Sequence, residues 1–130
     1  MLWALKGDAG QRALMAWSLG WPDAQQASGT AWMPFYLAGL MFDDYDAVRY
    51  IAYRSLKGSP GYGGIRFDHM KPAGHYDRIM DEVMQVWFRT VGEGKPTAGE
   101  LLFTPEGMPR MDIYDNLRSQ RDNRRVIITE

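Results

Sequence analysis

Histidine and cysteine, the residue types most specific for metal binding and nucleophilic or acid–base catalysis, are scarce in this 130-residue sequence, which has two histidines and no cysteine. Its two histidines, His69 and His75, are six residues apart in a glycine-rich stretch. That spacing matches neither a helical i, i+4 metal pair nor a His-x-x-Glu-His arrangement. One of them could be an axial ligand to a haem held by a neighbouring module. The pattern favours the alternative, that both are ordinary loop histidines.

The acidic cluster Asp43, Asp44 and Asp46 suggests either a calcium loop or a catalytic carboxylate pair. A calcium loop needs more oxygen ligands at a fixed spacing and a glycine at its turn, and this segment has neither. Helix capping accounts for all three acids, because carboxylates accept the free N–H groups at a helix N-terminus and favour its positive dipole end. We therefore predict no metal site and no catalytic residue here.

The glycine-rich segment 58–64 is the remaining candidate for chemistry. It lacks the Gly-Lys-Ser/Thr ending and the preceding strand of a phosphate-binding loop. The sequence has no cysteine, which excludes disulfides, thiolate zinc sites and a haem attached through Cys-x-x-Cys-His. The expectation is a non-enzymatic chain with no cofactor of its own.

Charge and hydropathy limit the kinds of partner. The formal net charge is −1 and the isoelectric point is about 6.1, so no global field attracts phosphate backbones. The arginines near the C-terminus alternate with acids, as on a solvated, ion-paired surface. No window is long and apolar enough for a membrane span, and residues 1–7 do not resemble a signal peptide. A protein partner is the expectation, with no nucleic acid and no membrane span.

Hydrophobic spacing predicts that most of the chain is helical. Residues 1–7 have the character of a helix interior, which suggests a fragment of a longer parent. A helix is predicted from Asp8 to Gly20, where Gly20 and Pro22 stop it. Residues 23–29 are predicted to be a polar connector. The predicted apolar face of this first helix consists of Leu14, Trp17 and Trp21, with the small Ala13 and Ala16 beside them.

A second helix is predicted with Thr30 as its N-cap and Pro34 in its first turn. Its apolar stripe is Trp32, Phe35, Tyr36, Gly39 and Leu40. A third helix is expected after Asp43 and Asp44, which would provide its N-cap, and should end at residues 58–61. Its stripe is Val48, Ile51, Ala52, Ser55 and Leu56. The short link predicts that these two helices form an antiparallel αα-hairpin.

The second half of the chain is predicted to be less regular. Residues 58–75 are expected to be irregular, with a short extended piece at 65–67. A fourth helix should cover residues 76–91, with a core face of Ile79, Val83, Val86, Trp87 and Val91. Residues 101–103 are predicted to form a short strand, followed by a turn at 104–107 and a helix at 111–120. Residues 126–128 are β-prone and could pair with that strand.

A weak internal repeat is also present. A shift of 37 residues places Arg12 on Arg49, Leu14 on Ile51, Ser18 on Ser55 and Leu19 on Leu56. The acidic cluster followed by Val48-Arg49 and by alanine and leucine at helical spacing resembles the second-helix signature of HEAT repeats. Residues 32–40 resemble the preceding first helix. The resemblance covers about residues 8–58, although Asp8 lies only four residues before Arg12, against six from Asp43 to Arg49.

The resemblance implies an all-α fold, in which three to four main helices form HEAT-like antiparallel hairpins with minor β elements near the C-terminus. Residues 1–130 would then be a single helical domain. A narrower similarity links residues 7–12, 47–52 and 121–126 to the C-terminal region of large bacterial multi-haem c-type cytochromes. It implies a larger exported parent and a periplasmic or otherwise extracytoplasmic location. The haem-binding motifs are absent from this chain, so electron transfer is not implied for it.

We therefore expect a non-enzymatic scaffold or protein-docking module. The interaction surface is expected to include Trp32, Tyr36, Arg49 and Tyr53. Arg49 has two interpretations, because an arginine at this place in stacked helices either bonds to a neighbouring acid or carbonyl or contacts a partner. The alternative function is an accessory domain of a multi-haem cytochrome, in which His69 or His75 would shield or ligate a neighbouring haem.

Overall fold

The computed structural model describes residues 1–91, 102–104 and 108–124. In that part of the chain, 62% of the residues are helical and none belongs to a strand, which confirms the prediction of an all-α chain. The helices, in chain order, are α1 (Leu2–Lys6), α2 (Ala9–Leu19), α3 (Pro22–Ser28), α4 (Met33–Leu40), α5 (Asp46–Gly58), α6 (Tyr76–Val91) and α7 (Met111–Ser119).

Helix α2 begins and ends where the sequence predicts. Asp8 forms a capping box: its carboxylate accepts the Gln11 N–H at 2.8 Å, and the Gln11 side chain accepts the Asp8 N–H at 3.1 Å. Gly20 follows the last helical residue. These local signals set both ends of the helix.

The predicted core face of α2 is wrong. Leu14, Trp17 and Trp21 are 51%, 54% and 46% exposed. The side of α2 that faces the interior consists of Ala9, Arg12, Ala16 and Leu19. Arg12 can lie inside because a buried carboxylate neutralises it, and the two alanines leave room for neighbouring helices. The helix is therefore rotated away from the orientation that its aromatic residues suggest.

The predicted polar connector at 23–29 is also wrong, because most of it forms α3. Pro22 occupies the first turn, where its missing N–H costs least, and the following alanines and glutamines favour helix. The Gln25 side chain donates to the Leu19 carbonyl at 3.0 Å, which ties α3 to the end of α2. No residue of α3 is buried, so hydrophobic spacing does not reveal this helix.

Helix α4 lies at the centre of the fold, and all eight of its residues are buried. It packs against α2, α5 and α6, so residues on all its sides are buried and not only those of the predicted apolar stripe. Pro34 is in the first turn as predicted. The predicted N-cap, Thr30, is wrong, because the N-cap is Trp32, which makes no side-chain capping bond. The Tyr114 hydroxyl of α7 lies against Gly39 so closely that a Cβ there would overlap it.

Helix α5 buries Val48, Ala52 and Leu56 as predicted, together with Arg49. Its N-cap is Tyr45, which makes no side-chain capping bond, so the prediction that Asp43 or Asp44 caps this helix is wrong. The Asp43 carboxylate instead accepts the Tyr45 N–H at 3.1 Å and pairs with Arg12. Asp46 lies in the first turn, as predicted.

Helix α6 has the predicted bounds and buries Ile79, Val83 and Trp87. Helix α7 ends one residue earlier than predicted. Before it, the only β structure among the described residues is an isolated antiparallel bridge between Phe103 and Pro109. The described residues do not include Leu101 of the predicted strand. They also do not include residues 126–128, which could pair with that strand. Backbone hydrogen bonds join residues 102–104 to residues 108–110, on the two sides of the predicted turn.

The helices pack in two consecutive pairs, α1 with α2 and α4 with α5, and α2 packs against α5. Helices α2 and α5 begin at Ala9 and Asp46, 37 residues apart, which is the offset of the repeat in the sequence. The C-terminal segment 120–124 lies across the end of α1, where the Arg121 Nε donates to the Leu5 carbonyl at 3.1 Å. This packing leaves the outer sides of α2 and α5 next to each other.

Candidate docking surface

An exposed aromatic pair marks the outer side of the fold where α2 ends. The Trp17 and Trp21 rings stack with their centroids 5.8 Å apart and their planes 20° from parallel. Both indoles are about half exposed, whereas Arg12 and Ala16 of α2 are fully buried. A stacked tryptophan pair in water is unusual for a monomer surface, because burying such large apolar side chains is favourable.

Gly20 positions this pair next to α5. A Cβ at Gly20 would overlap the Ser55 side chain, so only glycine allows the end of α2 to approach α5 this closely. The close approach places Trp17 and Trp21 beside the outer residues of α5. Because the contact joins residues 35 positions apart, it belongs to the tertiary structure and not to either helix alone.

The two helices enclose a groove of about 260 Å³. We call it the α2–α5 groove. Its lining residues are Trp17, Gly20, Trp21, Pro22, Tyr50, Ile51, Arg54 and Ser55. Three aromatic side chains, one proline and one arginine therefore face a single concave surface, a composition typical of protein-binding sites.

Among the described residues that line the α2–α5 groove, Arg54 alone is charged. Its guanidinium carbon lies 5.9 Å from the centre of the Tyr50 ring, a cation–π contact. None of the salt bridges among residues 1–91, 102–104 and 108–124 includes Arg54. The groove thus has a positive edge with no carboxylate against it in the described part of the chain.

The two histidines have different surroundings, and neither is among the residues that line the α2–α5 groove. The His69 ring packs against Tyr50 with centroids 5.0 Å apart, and its backbone carbonyl accepts a bond from Arg49 at 2.6 Å. His75 lies at the start of α6, with its Nδ1 3.5 Å from a nitrogen of Arg78. No contact joins the two imidazoles, and the described residues contain no group of three histidine or acidic side chains that could hold a metal ion.

The four residues expected at the interaction surface do not lie on one open face. Tyr36 is buried in the core, and Trp32 contacts it edge-on with centroids 5.5 Å apart. The Tyr53 hydroxyl donates to the Ile65 carbonyl at 3.1 Å. Arg49 is buried and donates to three carbonyls, those of His69, Asp43 and Asp44. These contacts tie α5 to the loops that flank it.

A buried ionic cluster lies on the inner side of α2. Asp43 accepts from Arg12 at 2.7 and 3.0 Å and pairs with Arg121 at 3.1 Å. Burial lowers the pKa of the Arg121 guanidinium from its ordinary value, and the negative charge of Asp43 opposes that change. The three side chains bond to one another and to backbone carbonyls, so the cluster joins α1, α2, the link before α5 and the C-terminal segment.

Burial also perturbs two tyrosines of the core. It raises the pKa of Tyr114 to about 12 and raises the pKa of Tyr36 still further, because a phenolate loses its hydration there. Among the described residues the Tyr36 hydroxyl has no hydrogen-bond partner. Neither phenol reaches the α2–α5 groove, so both belong to the packing of α4 against α7.

Hydrophobic spacing predicts that Trp17 and Trp21 are core residues, and it does not single out Tyr50 or Arg54. The 37-residue repeat could have corrected the first error, because it aligns Arg12 and Leu19 with Arg49 and Leu56, which are buried in α5. The same alignment matches Trp17 with Arg54, and each of these residues lies on the outer side of its helix. Nothing local in the sequence marks the close approach of Gly20 to Ser55.

Comparisons with family models, curated proteins and solved structures identified no protein that matches this chain. Within the described residues, no helix is long and apolar enough to cross a membrane.

Proposed function

We propose that this chain is a non-enzymatic scaffold domain of helical-repeat, HEAT-like type that docks a protein partner through the α2–α5 groove. The packing of α1 with α2, of α4 with α5, and of α2 with α5 supports the repeat interpretation, as does the 37-residue separation of the second helices. In such folds each unit contacts its neighbours and leaves a continuous outer surface for binding. By resemblance, the domain would belong to a larger exported protein with a periplasmic or otherwise extracytoplasmic location.

The single observation that carries the docking proposal is the exposed, stacked pair Trp17 and Trp21 at the α2–α5 groove. Tryptophan, tyrosine and arginine are the residue types that most often dominate binding energy at protein interfaces. The groove contains all three, around one concavity. Each indole is about half exposed in the free domain, so a partner could remove a large apolar area from water.

The test is a selection from a library of random short peptides displayed on phage, with the purified domain as target. We expect peptides that bind the wild-type domain and lose at least about tenfold in affinity for the W17S/W21S double variant. The matched control is Phe88→Ser, because Phe88 is 50% exposed on α6, away from the groove. That variant should keep the binding.

Circular dichroism of each variant checks that the domain remains folded. Because the three substituted side chains are half exposed, the spectra should match the wild type. Selected peptides that bind the W17S/W21S variant as well as the wild type would overturn the proposal. A selection that enriches no peptide would overturn it too.

A further inference from the structure

We propose that the α2–α5 groove binds an extended, proline-containing segment of a protein partner that also carries a carboxylate. This inference rests on the docking function proposed above and adds the chemistry of the partner. Three features of the groove lead to it: the arrangement of its aromatic faces, its unused indole N–H groups, and its single positive charge.

The aromatic faces favour proline. Trp17, Trp21 and Tyr50 line the groove together with Pro22. Proline-rich segments dock in aromatic-lined grooves because their polyproline II conformation is already extended and loses little entropy on binding. A strand added to a sheet edge is the main alternative for an extended segment, but the described residues form no strand to extend.

The indole N–H groups supply donors for such a segment. A polyproline II backbone has no internal hydrogen bonds, so its carbonyl oxygens remain available as acceptors. The indole nitrogens of Trp32 and Trp87 already donate to the carbonyls of Ser28 and Ala31. Those of Trp17 and Trp21 have no acceptor among the residues that the structure describes. They can therefore donate to a bound segment without breaking a bond inside the domain.

Arg54 supplies the charge preference. It is exposed, and the other lining residues of the groove are uncharged at neutral pH. A carboxylate on the bound segment would complement its guanidinium, which presents paired N–H donors suited to a carboxylate. A lysine at the same place on the segment would be repelled. The groove therefore discriminates by charge as well as by shape.

The probe is a synthetic peptide that repeats Pro-Pro-Glu, titrated into the full domain while tryptophan fluorescence is followed. Three matched peptides replace each glutamate by glutamine, each glutamate by lysine, or each proline by alanine. We expect the glutamine peptide to bind up to about fivefold more weakly, the upper end of the range for an exposed ion pair, and the lysine peptide more weakly still. The alanine peptide should lose more affinity, because it lacks the proline rings that hold the backbone in the extended conformation before binding.

Arg54→Gln tests the charge assignment. In that variant the glutamate and glutamine peptides should bind equally, whereas the matched variant Arg66→Gln, in an exposed loop, should keep the difference. Sedimentation of the free domain checks for self-association. A dimer that the W17S/W21S variant abolishes would assign the groove to a second copy of this chain and overturn the inference.

Two further results would also contradict it. One is a probe that fails to bind at millimolar concentration. The other is a set of phage-selected peptides that require Trp17 and Trp21 but contain neither proline nor acid. The second result would leave the proposed docking function standing, because binding at the groove would remain, and would remove only the chemistry inferred for the partner.

Discussion

Arg12 and Asp43, which are 31 residues apart in the sequence, form a two-point ion pair with no exposure of either side chain. The Arg12 Nε lies 2.7 Å from Asp43 Oδ2, and its Nη2 lies 3.0 Å from Oδ1. The remaining nitrogen, Nη1, donates to the carbonyls of Gly7 and Asp122. One guanidinium thus joins the start of α2, the link before α5 and the C-terminal segment.

Asp43→Asn should lower the free energy of unfolding by about 3–5 kcal/mol. The change keeps the shape of the side chain but leaves the buried Arg12 and the adjacent Arg121 with no carboxylate, which is the costly way to break a buried pair. Urea denaturation followed by circular dichroism measures it. Asp44→Asn is the control, because Asp44 is exposed, and it should change stability by less than about 0.5 kcal/mol. Equal effects in the two variants would contradict a structural role for the ion pair.

Arg49→Ala should lower stability by about 1–3 kcal/mol, because it leaves three buried or partly buried carbonyls without their donor. Arg54→Ala, on the exposed side of the same helix, is the matched control and should be close to neutral. Denaturation of both variants separates the two interpretations of Arg49. Unchanged stability combined with lost partner binding would favour an interface role for Arg49 instead.

Gly39→Ala should cost about 1–3 kcal/mol, because the new methyl group overlaps the Tyr114 hydroxyl and forces α4 and α7 apart. Gly58→Ala is the control. Gly58 ends α5 with open space around it, so alanine there should be neutral or slightly stabilising through its higher helix propensity. Thermal unfolding of the two variants compares them directly. If Gly39→Ala unfolds at the wild-type temperature, the close packing of Tyr114 on Gly39 is refuted.

Stability should fall as the pH rises above about 10. Because burial raises the pKa of Tyr114 to about 12, the folded chain keeps a proton between pH 10 and 12 that the unfolded chain releases, with a reference pKa of about 10. Unfolding then becomes more favourable by up to about 1.4 kcal/mol per pH unit for this group. Tyr36, whose pKa is also raised by burial, adds to the slope.

The measurement is urea denaturation between pH 8 and about 11.5. Tyr114→Phe should have a shallower loss of stability over this range than the wild type, because its side chain cannot ionise in either state. Tyr50→Phe, at an exposed tyrosine, should keep the wild-type slope. A Tyr114→Phe slope identical to that of the wild type would show that Tyr114 is not the group responsible.

The purified domain should be colourless and should not bind haem added at micromolar concentration. His69 and His75 have separate surroundings and no shared contact, and neither donates to a carboxylate of the described residues that would fix its tautomer for ligation. Absorbance titration with haem measures binding. A Soret band that disappears in the H69A/H75A double variant would overturn the scaffold proposal in favour of the haem-accessory alternative.

The sequence by itself determined both ends of α2, the end of α5 and the bounds of α6. The Asp8 capping box, the Gly20-Trp21-Pro22 stop, the breakers after Gly58 and the spacing within α6 are local signals, and the structure follows each of them. They are readable because capping and chain-breaking act between residues a few positions apart. Helix α3 escaped prediction because none of its residues is buried, so it has no apolar stripe to detect.

The tertiary structure decided which side of each helix faces the interior. The local pattern of α2 favours Trp17 and Trp21 as core residues, but the pair of Arg12 with Asp43 rotates the helix and exposes both indoles. Likewise, the burial of α4 on every side depends on α2, α5 and α6 surrounding it. The α2–α5 groove exists only because Gly20 lets two helices approach. Ion pairs and close approaches between distant residues outweigh local hydrophobic spacing, and their partners become known only when the chain has folded.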